Sequence, residues 1–275
     1  MHLVTGATGN VGQRVVARLR AEGSPVRAFC RHPERLAFGP GVEPMAGDMA
    51  DAAAARAALL GVDGVFLVRT PGVEAFWAEV ERSAAQHVVF LSSGAIGLPV
   101  ETHIGRAHAE TEARIRASAL RWGFVRAGGF MSNALRWAPA IRGDGVVRVP
   151  FADARSAPVD PRDLGDAAAA MLLDPERHSG SSPEITGPEV LSTRDQVAIL
   201  SEVLGRPLRV EDVPESVAEA QLRGAMPAPM AESILALMRY GASVPEPSVR
   251  TAQAITGRPP RTFAQWAWDH REAFA

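Results

Sequence analysis

Through roughly the first 130 residues, apolar positions alternate between two patterns. Short continuous apolar runs bounded by glycine or polar residues occur at 2–5, 26–30, 64–68, 87–91 and 122–126, and these read as buried strands. Between them lie stretches with apolar residues three and four apart, which read as amphipathic helices. These run from Asn10 to a stop at Gly23, then over 52–60, 74–85 and 107–119. Strand and helix in regular alternation predict an α/β fold: a doubly wound parallel sheet of Rossmann type with helices on both faces.

Beyond Gly128 the alternation weakens. Residues 146–149, 183–185 and 208–210 read as short strands. Helices are expected over 161–173, 192–204, 215–223, 230–239, 247–256 and 262–274, with Ser192 as an N-cap and Gly205 as a stop. The expected organisation is a sheet domain over 1–175, including cleft-lining segments at 128–158, and a smaller, mainly helical substrate lobe over 176–275.

The strongest local signal is Val4-Thr5-Gly6-Ala7-Thr8-Gly9-Asn10-Val11-Gly12, between the first strand and the first helix. Gly6 suits a tight turn, Gly9 a close approach of pyrophosphate, and Gly12 close packing of helix on strand. The helix N-terminus then offers free N–H groups to phosphate. A purely structural turn in a flavodoxin-like domain is the competing interpretation. At the end of the second strand, where NAD sites usually carry an acid, stands Arg31, with His32, Glu34 and Arg35 behind it. A guanidinium there matches a 2′-phosphate and favours NADP(H) over NAD; a solvated arginine is the alternative.

Composition narrows the chemistry. Of 275 residues, 47% are hydrophobic and 22% charged, with formal net charge -2, so no basic field attracts nucleic acid or an anionic membrane. There is no apolar run of about 20 residues and no signal-peptide pattern at the N-terminus, and a cytoplasmic protein is expected. The single cysteine, Cys30, excludes a disulfide framework. No metal site is expected, since His103 and His108 are spaced poorly for one helix face. No Gly-x-Ser-x-Gly elbow surrounds Ser93. All 29 basic residues are arginine, and Tyr240 is the one tyrosine. Any mechanism that needs a lysine is therefore excluded.

The motifs TGATGNVG, FCRHPERL, GDMAD (residues 47–51) and LVRTP (67–71) resemble those of atypical short-chain dehydrogenase/reductases. Within that superfamily, HAETE (108–112) and VRAGGFMSN (125–133) are similar to the NmrA-like branch and to type 2 NAD(P)H:quinone oxidoreductases. The resemblance is clear over 1–135 and looser to the C-terminal TFAQWAWDHREAFA. It implies that Gly6, Thr8, Gly9, Asn10, Val11 and Gly12 hold the pyrophosphate and Arg31 the 2′-phosphate. Asp48 and Met49 would flank the adenine, Arg69, Thr70 and Pro71 the ribose, and Gly128, Gly129 and Phe130 the nicotinamide. Ser92 and Ser93 end the strand where ordinary reductases keep a catalytic serine.

The usual Tyr–Lys proton relay is absent; Ile104 and His108 stand in its places. A quinone or conjugated carbonyl accepts hydride with its charge delocalised, which relaxes the need for that relay. His108 is a candidate acid, or else a helix-face imidazole bonded to Glu112. Ser93 is a candidate for polarising a carbonyl, or else bonds to backbone. Asn133 caps the following segment or orients substrate. The expected function is NADPH-dependent reduction of a quinone-like or conjugated carbonyl small molecule, apolar in character, by a chain that can pair as a homodimer, with no direct nucleic-acid or membrane role. The alternatives are a non-catalytic NADP(H) redox sensor, and a ketoreductase or epimerase of a polycyclic natural product. Trp122, Trp137, Trp266, Trp268 and the methionines Met226, Met230 and Met238 read as packing residues.

Overall fold

Strands form at His2–Thr5 (β1), Val26–Cys30 (β2), Val42–Ala46 (β3), Gly64–Val68 (β4), His87–Ser93 (β5), Arg121–Ala127 (β6), Val146–Val149 (β7), Arg155–Ser156 (β8), Glu184–Ile185 (β9), Leu191–Ser192 (β10) and Arg209–Asp212 (β11). Helices are Asn10–Ala21 (α1), Ala52–Leu59 (α2), Val73–Val80 (α3), His103–Ala117 (α4), Ala138–Gly143 (α5), Pro161–Leu173 (α6), Pro175–His178 (α7), Thr193–Leu204 (α8), Glu215–Ala225 (α9), Ala228–Ser243 (α10), Gln253–Thr256 (α11) and Phe263–Asp269 (α12). This computed structural model describes residues 1–35, 37–244 and 247–275. Leu36, which closes the FCRHPERL motif, lies outside the described residues.

Seven strands pair in parallel in the order β3-β2-β1-β4-β5-β6-β9. The first six follow the Rossmann order, which puts ligands at the carboxyl ends of β1 and β4, where the winding reverses. Both sheet faces are buried, which is why the strands read as continuous apolar runs. Val4, Phe66, Val89 and Val125 pack under α1 and α6. Leu3, Leu67, Phe90 and Phe124 pack under α2, α3 and α4.

Several boundaries differ from expectation for local reasons. The patterning contains no signal for β3, an edge strand whose Glu43 and Pro44 are exposed; proline is tolerated at an edge. Helix α3 stops at Val80, whose carbonyl accepts from Ser83 Oγ at 2.7 Å. Helix α4 starts at His103 because Thr102 Oγ1 caps Gly105 N–H at 2.9 Å. The helix expected over 247–256 shortens to α11, and the one over 262–274 to α12 plus a 3₁₀ turn at Arg271–Ala273. Trp268 is 56% exposed and stacks under Arg271 instead of packing in a core. The three methionines of α9 and α10 are half-buried or exposed, so they are not core residues either.

A third apolar cluster joins Met131, Ala134, Ile141 and Val147 to Val197, Leu200, Phe263, Trp266 and Phe274. It draws on segments on both sides of residue 175. Helix α1 is tied to α6 by Arg14, whose Nε and Nη2 donate to Asp166 at 2.7 and 2.9 Å. Gly165 allows this close crossing, since a Cβ there would lie 2.6 Å from Arg14 Cβ. Among the described residues, no helix is long and apolar enough to cross a membrane.

At the opposite, amino end of the sheet, His2 and His87 meet edge to face at 5.7 Å. Burial, then the neighbouring His87 and the N-terminal charge, push His2 down to about 4; burial also lowers His87, whose Nε2–H donates to the Leu172 carbonyl at 3.1 Å. The folded state thus takes up protons less readily than the unfolded chain. Stability is complete above about 6.5 and declines as pH falls from there towards 4. Thermal melts across that window will show the decline, and His2→Phe will flatten it. An unchanged profile in His2→Phe would refute the assignment.

Candidate functional site

The glycine loop has the geometry its spacing predicts. Gly6 takes φ +59°, and a Cβ on it would lie 2.8 Å from Val68 Cγ2 on β4. Gly9 N–H donates to the Gly6 carbonyl at 2.8 Å to close the turn. A Cβ on Gly12 would sit 2.2 Å from the Gly6 oxygen, so only glycine lets α1 approach this closely. Gly9 caps α1 with no side-chain bond, and the first turn holds no acid. The first N–H groups of the helix are therefore open to an anion. Thr8 contributes its carbonyl to Gln13 Nε2 at 2.7 Å, and Asn10 Nδ2 donates to Ser132 Oγ at 3.3 Å, linking the loop to the segment after β6.

Arg31 is exposed at the end of β2 and has no ion pair or side-chain hydrogen bond among the described residues. The nearby acid that complicates the sequence, Glu34, faces His32 Nδ1 at 3.2 Å instead. Asp48 is exposed and accepts from Ala50 N–H at 2.9 Å. Met49 is buried, and its Sδ accepts from Thr70 Oγ1 at 3.1 Å. Gly72, at φ +90°, lets the loop after β4 lie directly on residues 49–50, for a Cβ there would be 2.5 Å from Ala50 N. The loops after β3 and β4, with Pro71 exposed, therefore form one continuous wall. Arg69 reaches Glu74 only at 3.6 Å, and its Nε is buried without a partner.

At the end of β5 the two serines point to opposite faces. Ser92 is buried and donates to Glu112 Oε1 at 2.6 Å. Ser93 Oγ accepts from Ala95 N–H at 3.2 Å, and its own proton has no acceptor among the described residues. His108 does not bond to Glu112: its Nδ1–H donates to the Ile104 carbonyl at 2.8 Å, and its ring lies 5.9 Å from Phe90. Burial lowers its pKa, partly offset by that bond, and the Arg69 charge lowers it further. The imidazole is therefore neutral at neutral pH, with Nε2 as its lone-pair nitrogen.

Glu112 has no exposed surface and is the hub of this corner. Arg126 Nε and Nη2 reach it at 2.9 and 2.7 Å, and Arg116 Nη2 at 2.8 Å. Burial alone would raise its pKa; the bonds from Arg126 and Ser92 and the two guanidinium charges outweigh burial and hold it low.

After β6, Gly128 N–H donates to the Ile185 carbonyl at 2.9 Å, and the Gly129 carbonyl accepts from Val159 N–H at 2.8 Å. Phe130 is half-buried and leads into a 3₁₀ helix, Met131–Trp137. The Asn133 side chain is exposed and caps nothing among the described residues.

Residues 2–256 match the NmrA-like family. The chain belongs to that family. A curated relative, the (4-alkanoyl-5-oxo-2,5-dihydrofuran-3-yl)methyl phosphate reductase of Streptomyces griseus, is 44% identical, with 100% of this chain and 99% of the relative aligned. The NAD(P)H azoreductase of Xenophilus azovorans is 34% identical over 100% of this chain and 99% of its own. Among solved structures, the Escherichia coli NADPH-dependent quinone oxidoreductase in complex with NADPH superposes with TM-score 0.82 at 23% identity, covering 99% of this chain and 100% of that one. That likeness establishes a shared fold.

For this NmrA-like chain, the residues singled out in the sequence gather around the carboxyl ends of β1 to β6. Ser92 is committed to Glu112, and His108 is turned towards Ile104. Sequence reasoning passed over Glu112 as a buried strut and the Arg69 guanidinium as a charge beside His108. Only the HAETE motif carried a trace of the first.

Proposed function

We propose that this protein is an NADPH-dependent reductase of a small conjugated carbonyl compound. The observation that carries this reading is the open glycine cradle, with no acid in the first turn of α1, and Arg31 at the end of the adjacent strand, unpaired among the described residues. Gly6, Thr8, Gly9, Asn10, Val11 and Gly12 enclose the pyrophosphate, and Arg31 binds the 2′-phosphate. Asp48 and Met49 flank the adenine, Arg69 to Pro71 line the ribose, and Gly128 to Phe130 face the nicotinamide. The substrate class is supported by the full-length relative, whose printed substrate is an acylated unsaturated lactone that carries a methyl phosphate.

When held by these residues, NADPH would supply the hydride that the β-carbon of such an acceptor takes up. Ser93, with its hydroxyl proton uncommitted, donates to the carbonyl oxygen as negative charge builds there. His108, neutral and held by Ile104, presents Nε2 as an acceptor for a ribose hydroxyl and acts as a positioning residue. The proton that completes the reduction at the α-carbon comes from water, consistent with the absence of any Tyr–Lys pair. Ser92 serves through Glu112, fixing the end of β5.

The test is NADPH oxidation against butenolides, enones and quinones, run beside binding titrations of NADPH and NADH. Turnover of a conjugated carbonyl is expected. Arg31→Ala is expected to weaken NADPH binding about 10- to 100-fold, the value of a charged phosphate contact, and leave NADH binding near its starting value. Equal losses for both would remove Arg31 from the site. Tight NADPH binding with no turnover of any acceptor would favour a redox sensor instead.

A further inference from the structure

Helices α9 and α10 form a hairpin that none of the three apolar clusters includes. It is braced from within: Arg223 bridges Glu219 and Glu232, both at 2.9 Å, and Arg239 pairs with Glu215. Among the described residues, one side-chain hydrogen bond ties the hairpin to the rest of the chain. Ser233, buried on α10, accepts from the Ile104 N–H at 3.4 Å and donates to the Pro229 carbonyl at 2.8 Å. Ile104 is also the residue whose carbonyl holds His108. The far end of α10 rests on β8, where a Cβ on Gly241 would lie 3.8 Å from the Arg155 carbonyl oxygen.

Ser233, Leu237 and Gly241 are spaced four apart and share one row of the helix. The first meets the start of α4 and the last meets β8, so Leu237 points into the space between these two anchors. Eight residues separate them, about 12 Å along the helix axis. The start of α4 follows the loop that leaves β5. Strand β8 runs on into 157–159, and Val159 is bonded to Gly129 and Met131 after β6. The space under Leu237 therefore lies over the carboxyl ends of β5 and β6, the end that carries Ser93 and Phe130. Ile234, Leu237 and Met238 stand at i, i+3 and i+4 and form an apolar stripe on this side. Glu232 and Arg239 are exposed on the other side. All three stripe residues are half-buried, and none is packed against a core cluster.

We propose that this stripe, with Leu237 at its centre, selects the substrate by receiving an apolar substituent remote from the reacting carbonyl. The proposal rests on the reductase reading above and adds the part of the substrate that does not react. The conjugated carbonyl is held at the strand ends, and the substituent extends along α10 between the Ser233 and Gly241 anchors. Burying it there covers apolar surface on both partners. A charged group at the same place is rejected, because no stripe residue can pair with it.

The experiment measures binding separately from turnover. The binding probes are cyclohexanones carrying a methyl, propyl or pentyl group away from the carbonyl, titrated into protein saturated with oxidised NADP, where no hydride is available. Wild-type affinity is expected to rise about three- to fourfold per added methylene. Leu237→Asp should remove most of that dependence and Leu237→Ala about half of it, while affinities for NADP and for unsubstituted cyclohexanone stay unchanged. A chain that ends in a carboxylate should bind the wild type no better than the unsubstituted ring. Wild-type affinity independent of chain length overturns the proposal, and needs no variant to be informative. Full chain-length dependence in both Leu237 variants also overturns it. NADPH oxidation by the matching cyclohexenones is read in parallel. Turnover without chain-length dependence sinks the stripe and leaves the reductase; chain-length-dependent binding without turnover of any enone sinks the reductase and leaves the stripe.

Discussion

Gly12→Ala is expected to raise the NADPH dissociation constant by more than about 100-fold, which corresponds to a loss of roughly 3 kcal/mol of binding. The new methyl group would stand 2.2 Å from the Gly6 oxygen and 2.8 Å from the Gly6 carbonyl carbon, both backbone atoms that have no rotamer to retreat into. Helix α1 must move away from the β1 turn, and the N–H groups that converge on the pyrophosphate move with it. Overpacking of this kind also destabilises the fold by about 1–3 kcal/mol. Gly9→Ala is the contrasting variant. Gly9 has φ -83°, which any residue adopts, and its added methyl would lie 3.2 Å from the Gly6 oxygen. It should retain most of its stability and lose affinity through crowding of the ligand. Fluorescence titration of NADPH and urea unfolding separate the two effects. Wild-type affinity in Gly12→Ala would mean that the cofactor does not bind on this turn.

Glu112→Ala carries the largest expected loss of stability, about 3–5 kcal/mol. Glu112 is fully buried and accepts from Arg126, Arg116 and Ser92 together. Its removal strands two guanidinium groups against the sheet, with Arg126 only 23% exposed. Glu112→Gln keeps the shape and part of the bonding and should cost about half as much. The sign of the pH dependence follows from the lowered carboxylate pKa. The stabilisation is complete above the ordinary glutamate value, about 4.3, and is lost as pH falls through the lower folded value. Urea unfolding of wild type and Glu112→Ala should therefore differ most near neutrality and converge in acid. A constant difference at every pH would mean that the contribution is packing alone.

The central sheet was legible because its strands are buried on both faces and so lack polar alternation. Strand β3 was not, because an edge strand with Pro44 at its middle has no apolar signature. The turn geometry of the glycine loop was legible, since Gly6 takes a positive φ and Gly12 packs against the Gly6 backbone as the spacing predicts. The surroundings of His108 were not. HAETE pairs His108 with Glu112 one turn on, yet Glu112 is taken by residues from β5, β6 and the next turn of α4, and these meet only in three dimensions. The third apolar cluster was hidden by sequence distance, since Met131 and Phe274 give no sign of sharing a core.

That cluster also sets an order of events during synthesis. The sheet and its glycine cradle are built mainly from residues that leave the ribosome early. The apolar side of the 3₁₀ helix Met131–Trp137 is sealed by Phe263, Trp266 and Phe274, all fully buried, which emerge far later. A growing chain therefore completes the glycine cradle before it completes the packing behind that helix. Until the final helix arrives, Met131 and Ile141 present bare apolar surface beside the cleft, a patch for chaperones to cover and for proteases to find.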